Sequence, residues 1–116
     1  MSPDRSAAAL QEPAAAPVFA ALGDTTRLGL LRRLSADGPL SITRLSEGTG
    51  VTRQAITRHL RSLGRAGLVH DARRGRERVF ELDRKRLEKA RQYLDQIAAQ
   101  WEAAGARLKA FVEEEG

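Results

Sequence analysis

The chain has 116 residues, 41% of them hydrophobic, a net charge of +5 and no cysteine. That length suits one domain, and the missing thiols exclude a disulfide framework, a cysteine-based zinc site and a thiol switch. No apolar run approaches the ~18 residues a membrane span needs, and the N-terminus has no continuous apolar segment of signal-peptide type, so the chain is expected in the cytoplasm with no membrane partner.

Residues 1–16 are rich in Ala and Pro and carry no periodic pattern, which predicts a disordered N-terminal tail. Pro17 suits the first position of a helix, where its missing N–H costs nothing. A short helix is expected there, with Val18, Phe19 and Leu22 inward and Gly23 ending it. Asp24 or Thr25 caps a second helix, "TTRLGLLRRLSADG", in which Leu28, Leu31 and Leu34 recur at helical spacing beside Leu30. "DGP" at 37–39 stops it. Ser41 caps a short third helix with Ile42 and Leu45 inward. "GTG" at 48–50 breaks that helix, and Thr52 caps a fourth running to about Arg65.

Beyond Gly67 the period changes from helix to strand. Two extended runs, 68–72 and 78–82, flank "RRGRE", the pattern of a β-hairpin with Gly75 at its tip. Helical spacing returns after Asp83 and continues to about Glu113. Leu87, Ala90, Leu94, Ile97, Trp101, Ala104, Leu108 and Phe111 alternate steps of 3 and 4, a heptad seam. A 30-residue helix is about 45 Å long, more than a domain this small can cover. The seam therefore predicts a homodimer interface through Leu87, Leu94, Ile97, Trp101, Leu108 and Phe111. The competing reading is a helix packed along part of its length on its own domain.

The fold class expected is mainly α with a small β-hairpin: a winged helix-turn-helix over 17–82, joined to a C-terminal dimerisation helix over 83–116 within one compact unit. Two helices separated by "GTGVT" form the helix-turn-helix. Ile56 and Leu60 anchor the second helix. Arg53, Gln54, Thr57, Arg58 and Arg61 stay on its outer face, with Thr52 at its start and Arg65 at its end. Arginine pairs with guanine and glutamine with adenine through two hydrogen bonds in the major groove. Arg61 and Arg65 fall nearer the phosphates. The wing adds Arg73, Arg74, Arg76 and Arg78, four arginines in six positions, suited to a minor groove or its phosphate rims. Charge follows the same segment. Residues 52–80 carry eight arginines against Asp71 and Glu77, a net +6, while 1–51 sum to zero and 81–116 to −1. A solvated face usually mixes signs, so this block points to a polyanion.

"FAALGDTTRLGLLRRL", "TRQAITRHLRSLGRAGLV" and "RRGRERVFEL" together resemble the ArsR/SmtB family of winged-helix repressors across about residues 18–82. The resemblance implies a dimeric DNA-binding repressor that blocks a promoter and releases it on a signal. The long last helix corresponds to that family's dimerisation helix. The chain departs from the metal-sensing members. Its third helix, "SITRLSEG", has no cysteine pair, and its last helix has Asp83, Asp95 and Glu102 but no histidine. His59 matches a family position, for which a structural or phosphate-contact role is expected. Neither metal nor cofactor is expected, and the inducing signal is not encoded in any recognisable motif.

No nucleophile–base set or phosphate loop occurs, so the chain reads as no enzyme. The expected partner is double-stranded DNA with a near-palindromic operator. A nucleoid-type binder with little base preference and a protein-interaction module remain the alternatives.

Overall fold

The computed structural model describes residues 11–115, and the expectation of disorder over 1–10 falls outside them. Five helices and one hairpin follow in the order α1 (Glu12–Leu22), α2 (Thr25–Asp37), α3 (Ile42–Ser46), α4 (Arg53–Arg65), β1 (Val69–Arg74), β2 (Glu77–Leu82) and α5 (Arg84–Glu115). The fold is mainly α with an antiparallel hairpin, as the period changes along the sequence anticipate.

The helix starts are set by side chains that satisfy free backbone N–H groups. The Asp24 carboxylate accepts from the Arg27 N–H at 3.0 Å, the Ser41 hydroxyl from Arg44 at 3.2 Å and the Thr52 hydroxyl from Ala55 at 3.1 Å. Asp83 does the same for α5, accepting from Arg86 at 3.0 Å. The α4 C-terminus closes with paired bonds from Leu68 N–H to Leu63 O at 2.9 Å and Gly67 N–H to Gly64 O at 3.0 Å. That closure needs a left-handed residue, supplied by Gly67 at φ 77°.

Two expectations about α1 and α2 are corrected. Residues 12–16 do not belong to a tail: α1 begins at Glu12, and Pro17 lies inside it. Pro13 takes the early helical position that tolerates a missing N–H, an acidic Glu12 suits the first turn, and the alanines favour helix. Pro17 cannot donate to the Pro13 carbonyl, but Pro13 is exposed, so water can replace that bond. Ala15 is buried, which gives the extra turn a packing role. On α2, Leu30, Leu31 and Leu34 are buried, whereas Leu28 is 50% exposed.

The core gathers Val18, Leu30, Leu34, Leu45, Ile56, Leu60, Leu63, Leu68 and Phe80 from every element up to the wing, and α5 adds Ala90. Phe19 of α1 rests on Tyr93 of α5, ring centroids 5.8 Å apart. Leu40, in the link between α2 and α3, exchanges two backbone bonds with Phe80 at 2.9 and 3.1 Å. That short third rung ties the base of the wing to the helices ahead of it.

Candidate nucleic-acid interface

The α3–turn–α4 unit is pinned from within. Gly50 has φ 71°, as its place in the turn requires. The Thr49 hydroxyl donates to Ser46 O at 2.9 Å and accepts from the Val51 N–H at 3.1 Å. Arg33 of α2 reaches across to the Leu45 carbonyl at 2.9 Å, satisfying the C-terminal end of α3. With Ile56, Leu60 and Leu63 buried at helical spacing, the opposite face of α4 must project outward.

That face carries Arg53, Gln54, Arg58, Arg61 and Arg65, all exposed, with Thr57 half-buried among them. Gln54, Thr57, Arg58 and Arg61 line one shallow groove. The Thr57 hydroxyl donates to Arg53 O at 2.9 Å, so its proton is committed and its oxygen is left as an acceptor. No acidic residue lies on α4.

β1 and β2 pair from Val69↔Leu82 to Arg74↔Glu77, leaving Gly75 and Arg76 as a two-residue loop. Gly75 has φ 66° and Arg76 is not in the positive-φ region, the arrangement that matches strand twist in a tight hairpin. The strands are longer at the tip than the runs 68–72 and 78–82. Pairing carries Arg73, Arg74 and Glu77 into the ladder because the loop is so short.

The four wing arginines divide. Arg73, Arg74 and Arg76 are exposed and have no carboxylate partner among the described residues. Arg78 instead holds Asp71 Oδ2 through Nε at 3.1 Å and a terminal nitrogen at 2.6 Å. Its guanidinium sits 5.1 Å from the centre of the Phe80 ring. Register explains the contact: Arg73 faces Arg78, and Asp71 faces Phe80, so all four share one side of the hairpin. On the other side His70 Nε2 meets Glu81 Oε1 at 2.8 Å.

His59 turns away from the exposed face of α4. Its Nδ1 receives Arg27 at 3.3 Å and stands 3.7 Å from Asp24 Oδ2. Arg27 also donates to Ala21 O at 2.6 Å and Ala20 O at 3.4 Å. One arginine thereby closes the C-terminal end of α1 and touches the middle of α4, a link that spacing along the chain does not reveal. The Asp24 carboxyl is held below its ordinary range, first by the Arg27 backbone N–H and then by the charges of His59 and Arg27, against opposing desolvation. Among the described residues no group of three His, Asp or Glu stands close enough to hold a metal ion.

At the rear, α5 runs 32 residues, about 48 Å. Its heptad seam splits. Leu87, expected at a dimer interface, is half-buried against the protomer's own core, as is Tyr93. That portion of the helix lies over α1, which supplies the covering surface. From Leu94 onward every described residue is exposed. Leu94, Ile97, Trp101, Leu108, Phe111 and Val112 leave apolar side chains uncovered, with Trp101 80% exposed. Among the described residues no helix is long and apolar enough to cross a membrane.

Comparison with known proteins agrees with this geometry. A helix-turn-helix domain family matches residues 22–72. The HTH-type transcriptional regulator Rv2034 of Mycobacterium tuberculosis is 36% identical over 96 residues, covering 83% of this chain and 86% of that protein. An ArsR-like transcriptional regulator from Rhodococcus sp. RHA1 superimposes with a TM-score of 0.76 at 35% identity, over 85% of this chain and 92% of the other. The homodimeric winged helix-turn-helix DNA-binding domain of Mb0332 from Mycobacterium bovis, a possible ArsR-family regulator, gives a TM-score of 0.59 at 26% identity, over 78% and 82% of the two chains.

Proposed function

The chain belongs to the ArsR/SmtB family of winged helix-turn-helix transcriptional regulators, and from that premise we propose that it is a dimeric, sequence-specific repressor that works without a metal. Thr52, Arg53, Gln54 and Thr57 at the N-terminal half of α4 read base edges in a major groove, and Arg58, Arg61 and Arg65 grip the flanking phosphates. Arg73, Arg74 and Arg76 of the wing meet the neighbouring minor groove or its rims. Arg78 holds the wing in shape through Asp71 and Phe80. Two protomers pair through the uncovered stripe of α5 from Leu94 to Phe111, and the homodimeric state of the Mb0332 domain supports that arrangement.

The observation that carries the reading is the acid-free face of α4 beside three wing arginines with no carboxylate partner among the described residues. A cationic surface this concentrated is held ready for a polyanion, and a rigid helix gives it the shape of a groove. Bound across a promoter, the dimer represses by occupying the site.

Selection from random duplexes at about 150 mM salt tests the reading. The expected product is a near-palindrome whose half-sites lie about one helical turn, or a multiple of it, apart. The enriched duplex should bind about 10³-fold or more tighter than a scrambled one. If the dimer contacts ~6–10 phosphates, affinity falls about 10³- to 10⁵-fold between about 50 and 200 mM salt. Enrichment of nothing, with strong binding to every duplex, would instead mark a nucleoid-type protein.

A further inference from the structure

Between the C-terminal half of α4 and the wing lies a half-open cleft of about 340 Å³, within the range of small-molecule sites. Ile42, Leu60, Val69 and Phe80 give it an apolar floor. Its rim carries charge that does not cancel. Asp71 is already taken up by Arg78 at 2.6 Å, and His70 is engaged by Glu81 at 2.8 Å. Arg61, on the helix side of the rim, has no ion-pair partner among the described residues. A guanidinium left over beside an apolar floor selects a molecule with one anionic end and an apolar body, since it can grip a carboxylate through two hydrogen bonds while the floor takes the rest.

We propose that this cleft binds a small organic anion, an apolar body bearing one carboxylate, and that its occupancy excludes DNA. The second half of the proposal rests on the assignment of α4 and the wing to DNA. Arg61 and Thr57 line both the cleft and the groove on the exposed face of α4. A ligand that claims Arg61 takes a phosphate contact away and stands where the duplex backbone must pass between recognition helix and wing. A bare phosphate satisfies Arg61 but gains nothing from the floor, so the two sources of negative charge are separable.

The test uses the full-length, 15N-labelled protein titrated with benzoate, with benzamide as the uncharged ring and inorganic phosphate as the charge without a ring. Amide shifts should cluster at Ile42, Gly64, Val69 and Phe80, with half-saturation at about 10 mM or below for so small a ligand. Benzamide and phosphate should bind at least tenfold more weakly. Arg61→Gln, at an exposed position, should weaken benzoate at least tenfold while the rest of its spectrum stays unchanged. Benzoate at saturating concentration should then release the selected duplex. Phosphate binding as well as benzoate would reduce the cleft to a seat for the DNA backbone. Equal binding of benzamide, scattered shifts or no shifts would each overturn the site. Clustered shifts without release of DNA would overturn the exclusion alone, whereas failure of the duplex selection, with benzoate shifts intact, would strike the functional reading and leave the cleft standing.

Discussion

Truncation of Trp101 to alanine should break the proposed dimer. A tryptophan offers about 200 Å² of surface, and Trp101 is 80% exposed in the protomer, leaving about 160 Å² for a partner to cover. If the partner covers half of that, burial contributes about 2 kcal/mol at ~25 cal/mol per Å². A two-fold axis repeats the contact, giving about 4 kcal/mol per dimer, or about a thousandfold in Kd. The residue makes no contact that the protomer needs, so thermal unfolding of the isolated subunit should be little changed. Sedimentation equilibrium of wild type and Trp101→Ala across nanomolar to micromolar concentration reads the shift directly. Because Trp101 is the sole tryptophan, the wild-type emission should also move to the blue as the dimer forms. A dimer constant altered less than tenfold, or an emission maximum insensitive to concentration, would refute the pairing of α5 stripes. So would a variant that still binds a full operator with the wild-type salt slope, since half the phosphate contacts belong to the second subunit.

Arg53→Ala or Gln54→Ala should relax sequence preference by about 1–3 kcal/mol at the base each residue reads; competition between matched and single-mismatch duplexes measures it. Arg74→Ala with Arg76→Ala should weaken binding to every duplex and lower the salt slope by about one per lost phosphate contact, whereas Arg78→Ala should change DNA affinity less and cost about 0–1 kcal/mol of stability, as for an exposed ion pair. The lowered carboxyl of Asp24 has a definite sign. Its folded form prefers the charged state, so the stabilisation is complete above the ordinary carboxylate value of 3.8 and is lost as pH falls through the lower folded value. Denaturant unfolding between neutral pH and about pH 2 should therefore show a flatter acid slope for Asp24→Asn than for wild type, and parallel slopes would sink that account.

Much of this protein could be read from short-range rules. Asp24, Ser41 and Thr52 cap helices because each can turn an oxygen toward an N–H three residues on. Gly75 marks the hairpin tip because the loop needs a positive φ there. The outer face of α4 follows from the spacing of Ile56, Leu60 and Leu63. These signals share one cause: each depends on dihedral angles and on neighbours within a few positions along the chain.

Other features depended on which distant segments meet. Leu28 and Leu30 are the same residue type two positions apart, and the seat of α2 against β2, α4 and α1 leaves one exposed and the other buried. Leu40 pairs with Phe80 across forty positions as a single rung, too short to leave a period. Arg27 reaches His59 over thirty-two positions. Arg78 looks in sequence like three other wing arginines until register sets Asp71 and Phe80 beside it. Leu87 joins the heptad pattern of Trp101 yet packs on its own core, because α1 covers only the first part of α5. Local patterns specify which residues can share a face, but the free energy that chooses among faces comes from contacts between segments far apart in the chain, and those exist only once the tertiary fold has formed.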